Sequence, residues 1–189
     1  TTRKCPSPMP ELSLALADLP GVFVPLPNAP RLALPIDEVR GVFEGRPNHL
    51  PAIEEEAEAF AAHLDAGEDL LGALKSWLRR EFGIVVKVLP VATMPNWRRR
   101  YDRHSQRLFL SERLSPFDQV KEVAMEACLI RMAATIAGEV DALKLSSDEA
   151  RRLARFELGR YAAHTLMMPY PAFQAAAVRT RYDIDVLRS

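Results

Sequence analysis

The chain carries four histidines, His49, His63, His104 and His164, and no two of them stand at i and i+4. That spacing is what sets two imidazoles on one helix face to hold zinc, so no structural zinc site is expected. Cys5 and Cys128 belong to no CxxC pair. Sparse, unpaired cysteine suits a reducing cytoplasm better than a disulfide-stapled secreted fold. No GxGxxG, GxxxxGK(S/T) or GxSxG occurs, and 8 glycines in 189 residues leave no glycine-rich cradle for phosphate. The densest cationic cluster is Arg98, Arg99 and Arg100, followed by Arg103 and Arg107. Alternation along a strand sends Arg98 and Arg100 to one face and Arg99 to the other. Three fates are open to this cluster: a solvated guard on an edge strand, a clamp for the phosphates of a nucleotide-like ligand, or a contact to a DNA backbone.

Composition limits these options. The 25 basic residues balance 25 acidic ones, so bulk charge does not hold this chain on nucleic acid. Hydrophobic residues at 48% and charged residues at 26% are globular proportions that allow a sizeable core. No apolar run reaches the ~18 residues of a membrane helix, and no signal-peptide pattern is present. A chain that opens on Thr1 is expected to be a piece of a longer protein.

The elements that must position these residues read as follows. Ten of the 15 prolines fall within residues 1–51. Proline fixes φ and removes a backbone donor, so this stretch is read as an extended arm with one short helix near Ile36–Phe43. Its many leucines and valines are expected to pack on a protein surface. Residues 52–81 are rich in Ala, Glu and Leu with helical apolar spacing, divided at Gly67 and ended by Gly83. Ile84–Leu89 reads as a strand, and Trp97–Tyr101 with Arg107–Leu110 as a hairpin. Ser115 and Pro116 start a helix expected to run to about Gly138. A capping box from Ser146 to Glu149 starts another, which stops before Pro169. Pro171 opens a short helix, and Asp183 caps one more. The fold class is α+β: a helical body with a small three-stranded sheet of antiparallel type, divided into an arm (1–51) and a sensor domain (52–189).

One succession is more specific. The strand end Leu108-Phe109-Leu110-Ser111 leads into a helix containing Met125-Glu126-Ala127-Cys128-Leu129. A long helix follows and ends His164-Thr165-Leu166-Met167-Met168-Pro169, and then come Tyr170-Pro171 and Tyr182-Asp183-Ile184. This order resembles the ImmA/IrrE family of gluzincin-like metallopeptidase domains over about residues 68–189. More closely it is similar to the divergent branch found in XRE-type transcriptional regulators that respond to short-chain fatty acyl-CoA. The resemblance implies an HExxH helix where this chain has Met125, Glu126 and Leu129, and a third, carboxylate ligand near Phe156, with Glu157 beside it. The glutamate stands and both imidazoles are missing. The implied reading is a catalytically inactive pseudo-peptidase that needs no cofactor and holds no metal.

From that resemblance, Met125, Glu126 and Leu129 are expected to line an acyl pocket, with Tyr161 and His164 near the same cleft and Arg98 and Arg100 meeting phosphates at its rim. Each has a plainer alternative. Helically spaced Met and Leu also make ordinary core. Glu126 also fits a glutamate satisfied by a neighbouring arginine, and His164 a bystander on a helix. Cys128 reads as a small buried hydrophobe. The function expected is effector sensing in a bacterial transcriptional regulator, with a short-chain acyl-CoA as ligand and DNA bound through a separate helix-turn-helix. The alternative is an interaction or dimerisation module without a small ligand. A homodimer is an expected assembly, and no membrane partner is expected.

Overall fold

Proline stands in the first turn of four helices, as Pro35, Pro51, Pro116 and Pro171. There its missing N–H costs nothing and its fixed φ already suits the helix. The computed structural model describes residues 34–183 and residue 185. The expectations for the segment before residue 34, including its packing, and for a last helix after Asp183 lie outside the described residues. The element order is α1 (Pro35–Glu44), α2 (Pro51–Leu64), α3 (Leu70–Phe82), β1 (Val85–Leu89), β2 (Arg99–Asp102), β3 (Arg107–Ser111), α4 (Pro116–Arg131), α5 (Ala133–Ala142), α6 (Asp148–Met167) and α7 (Tyr170–Arg179).

The helix near Ile36–Phe43 is present as α1, and its Val39 is buried in the common core. α1 therefore belongs with the helical body, and the described residues from 34 onward fall in one compact unit. The change of texture at Pro51 is the start of α2, not the start of the body. Asp65 and Gly67, both at positive φ, separate α2 from α3, and Gly83 (φ 67°) closes α3 by donating to the carbonyls of Leu78 and Arg79.

Two helix boundaries differ from the sequence reading. The helix from Pro116 does not continue to Gly138. Its backbone leaves the helical region at Met132 (φ −104°, ψ 27°), which divides it into α4 and α5. The bend lets Met132 and Ile136 both enter the core. The cap of α6 is Ser147, whose hydroxyl accepts from the Ala150 N–H at 3.1 Å. Ser146 is occupied elsewhere: its N–H and its hydroxyl both donate to the Glu38 carboxylate of α1, at 2.7 and 2.6 Å.

The sheet has three strands in the order β1-β3-β2. β2 and β3 form the expected antiparallel hairpin, but β1 runs parallel to β3, so the sheet is mixed and not of antiparallel type. The physical reason is burial. Leu108 and Leu110 make β3 the most buried strand, and the centre of the sheet is where a strand has partners on both edges. The chain after β1 loops out through residues 90–98 and returns on the far side, which leaves β1 and β3 pointing the same way. The inner face of the sheet lies on α4, and α4 packs along α6. Gly159 permits that approach, because a Cβ there would meet Leu129 Cδ2 at 2.6 Å. Among the described residues no helix is long and apolar enough to cross a membrane.

Candidate functional site

The second half of α6 projects two titratable groups, Tyr161 and His164, into an open cleft of about 820 Å³. The opposite wall is α1 and the segment leading to α2, and Lys121 of α4 closes one end. Ile36, Val39, Phe43 and Leu50 supply an apolar surface, and Arg40, Arg46, Lys121 and Arg160 supply cations against Glu44 and Glu157. An apolar cleft with a few convergent charges is the ordinary form of a small-molecule site.

Tyr161 is fixed by its partners. Its hydroxyl donates to the Glu54 carboxylate, lies 3.4 Å from the Asn48 carbonyl, and accepts from the Leu50 N–H at 3.4 Å. His49 adds a 3.1 Å contact to Glu54. Burial and then the Glu54 hydrogen bond push the Tyr161 phenol up to about 12, so it remains a neutral donor. The hydrogen bond from Tyr161 holds the Glu54 carboxyl below its usual range. Burial, then Lys121 and Arg160, hold His164 below the ordinary histidine value. Arg160 pairs with Glu157 one turn back, and Lys121 with Asp118 at 3.1 Å.

Met125 lies outside this cleft. It is 4% exposed and belongs to the core, and Leu129 is half-buried against Gly159. The pocket floor expected at these positions is filled with side chains. Glu126 takes the plainer alternative: Arg99 Nη1 donates to its Oε2 at 2.7 Å. Burial pushes the Glu126 carboxyl up, against the opposing pull of Arg99, Arg103 and Arg155. Arg99 also stands 3.5 Å from Glu122, and its Cζ lies 4.9 Å from the centre of the Phe156 ring. Cys128 is fully buried, and burial pushes its thiol up to about 12, so it offers no thiolate.

The two outer arginines do not share a face. Arg98 precedes β2 and reaches α4, pairing with Asp118 at 2.8 Å and Glu122 at 3.1 Å. Arg100 is exposed on the opposite side of the sheet. Neither lines the cleft. Sequence reasoning put Tyr161 and His164 at a cleft beside Met125; the structure puts them in a different one, lined by Lys121, Arg40, Arg46 and the apolar wall of α1, which that reasoning missed. Ile36, Val39 and Phe43 recur at helical spacing and the helix itself was legible, but nothing local says that its apolar side faces α6.

The positions at which the resemblance puts metal ligands fit no metal. Met125 and Leu129 offer only a buried thioether and an alkyl group, and Phe156 lies under the Arg99 guanidinium, which repels a second cation. Among the described residues no three His, Cys, Asp or Glu side chains gather into a group that could hold a metal ion.

A family model described as the IrrE N-terminal-like domain (Peptidase_M78) matches residues 79–189. The HTH-type transcriptional regulator RamB of Mycobacterium tuberculosis is 31% identical over 157 residues, which are 82% of this chain and 33% of that protein. The propionyl-CoA carboxylase regulator of Cereibacter sphaeroides is 29% identical over 81% of this chain and 32% of its own length. A solved Mycobacterium tuberculosis transcriptional regulator superposes with a TM-score of 0.73 at 30% identity, over 82% of this chain and 47% of the other. The chain spans about a third of the length of the curated relatives it matches.

Proposed function

The chain belongs to the IrrE N-terminal-like domain family, and on that premise we propose that it is the effector-binding domain of a bacterial transcriptional regulator, with the cleft between α1 and α6 as the site of a short-chain acyl-CoA. The observation that carries this reading is the cleft itself. It joins an apolar wall of Ile36, Val39 and Phe43 to the cations Arg40, Arg46, Lys121 and Arg160, and the ligand joins an acyl chain to several phosphates. A short acyl chain buries only a few methylenes at ~0.8 kcal/mol each, so phosphates and nucleotide supply most of the affinity. The apolar wall sets acyl length. The reading transfers the site from Met125 and Leu129 to α1, and it replaces Arg98 and Arg100 at the rim by Lys121 and Arg160.

In this proposal the domain is catalytically inactive and cytoplasmic, and DNA is read by a separate helix-turn-helix. The relatives are named as regulators, and the positions to which the resemblance assigns metal ligands hold Met125, Leu129 and a residue near Phe156. The name of the Cereibacter relative concerns an enzyme that uses propionyl-CoA, which favours the same ligand class.

Thermal unfolding with a series of acyl-CoAs tests it. Ligand at a hundred times its dissociation constant stabilises by ~2.7 kcal/mol, a rise in Tm of roughly 5–10 °C for a domain of this size. Lys121→Ala with Arg160→Ala abolishes the rise. No shift with any acyl-CoA favours the second reading, a dimerisation or docking module without a small ligand. The exposed Tyr170, Phe173 and Val178 of α7 support that reading.

A further inference from the structure

The basic cluster between residues 98 and 107 is divided by the fold. Arg98 and Arg99 are held by carboxylates of α4. The register leaves Arg100 and Arg107 on the outer face of the sheet, with Lys87 of β1. Lys87 and Arg100 both pair with Phe109 of β3, from opposite sides, and Arg107 lies two residues along the same strand. Register partners share a face and next-but-one residues repeat it, so these three cations surround one half-buried ring. The opposite face takes Leu108 and Leu110 into the core.

Lys87, Arg100 and Arg107 are exposed, and none forms an ion pair with the described residues. The carboxylate nearest in register, Asp102, is bound into the turn, accepting from the His104 N–H at 3.0 Å and the Ser105 hydroxyl at 2.7 Å. Zero net charge on the whole chain therefore hides a local positive face. Strands ~4.8 Å apart and a two-residue repeat of ~6.8 Å place the three cations within about 10 Å of one another.

We propose that this outer sheet face is a docking surface for the phosphate backbone of duplex DNA, with Lys87, Arg100 and Arg107 as the phosphate contacts. Charge complementarity favours it: three exposed cations without an ion-pair partner among the described residues stand around Phe109. Relatives of about three times this length are HTH-type regulators, so a duplex held by another domain lies within the intact protein's reach. Backbone contacts of this kind orient a protein on DNA and carry no sequence information.

Anisotropy titration of the full chain against a mixed-sequence duplex of about 25 base pairs is the test. Three phosphate contacts give a slope of log affinity against log salt of about −2.7, a loss of roughly forty-fold between ~50 and ~200 mM salt. Reversing Lys87, Arg100 and Arg107 to Glu is expected to abolish binding. A charge-matched variant reversing the exposed Lys144, Arg152 and Arg179 is expected to keep the slope. Circular-dichroism melts of both variants verify the fold. If the first triple variant melts early, single Ala substitutions replace it, each lowering the slope by about 1. Binding that survives the first reversal, equal loss in both folded variants, or poly-glutamate captured as tightly as the duplex overturns the proposal.

Discussion

Arg99 Nη1 meets Glu126 Oε2 at 2.7 Å, and the same guanidinium lies over the Phe156 ring. In the resemblance to the metallopeptidase pattern, Glu126 takes the position of the glutamate and Phe156 lies near that of the third ligand. A cation tethered to β2 thus lies where the resemblance would put a metal ion. Arg99 satisfies Glu126 and Glu122 together, which explains how two carboxylates persist on the buried face of α4.

Removing Arg99 is therefore expected to destabilise far more than removing either carboxylate charge. Arg99→Ala strands the buried Glu126 and leaves Glu122 with Arg98 alone, and losing one partner of a buried pair costs about 3–5 kcal/mol. Glu126→Gln keeps an acceptor and is expected to cost less than half of that. Urea unfolding of the two variants gives the ordering; equal midpoints would show that Arg99 is not what satisfies the pair.

Zinc is expected to be absent in stoichiometric amount, because Met125 is packed into the core and the Arg99 guanidinium opposes a second cation. Restoring imidazoles by Met125→His with Leu129→His is expected to leave the chain metal-free while Arg99 is present. Elemental analysis of protein purified without chelator measures both; one zinc per chain in the parent protein contradicts the arrangement described here.

Tyr161→Phe removes the hydroxyl that joins α6 to Glu54 and to the segment before α2. Leaving such a group unpaired costs about 1–3 kcal/mol. The lower half is expected here, since Glu54 keeps its contacts to His49 and Leu50. Chemical denaturation reads the loss. Faster amide exchange at Leu50 places it in that segment, and unchanged exchange there would mean the hydroxyl does not hold it.

Binding of an anionic ligand in the cleft is expected to strengthen as pH falls through the histidine range. Arg40, Glu44 and Arg46 face His164 from the α1 side, Lys121 from α4, and Glu157, Arg160 and Tyr161 from α6. Burial and the cations Lys121 and Arg160 hold His164 below 6.5 in the free protein. An anion offsets that repulsion, so the bound state carries more protons and binding takes one up. Folding alone has the opposite sign: the unfolded chain binds the His164 proton more readily, so this group subtracts stability as pH falls through 6.5. Calorimetry in buffers of different ionisation enthalpy counts the proton. His164→Gln removes the pH dependence, and a proton count that stays the same in that variant assigns the uptake to another group.

Much of the architecture was legible from local rules, because those rules are local. Pro116 behind Ser115, Gly83 at positive φ and the β-branched run before Pro90 each act through neighbours within a turn. Helix starts, the cap of α3, the hairpin and the family pattern around Glu126 therefore follow from sequence alone, as does the loss of both imidazoles at Met125 and Leu129. Tertiary structure decided what those rules cannot reach. Ser146 lost its capping role to Glu38, 108 residues away. β1 became parallel because Leu108 and Leu110 claim the middle of the sheet. Arg98 turned to α4, not to the face of Arg100, because Asp118 and Glu122 stand there. The cleft too depends on distance in sequence: α1, read as part of a proline-rich arm, supplies a wall for Tyr161 and His164. Which apolar faces meet depends on the sum of burial over the whole chain, and a window of a few residues carries no record of that sum.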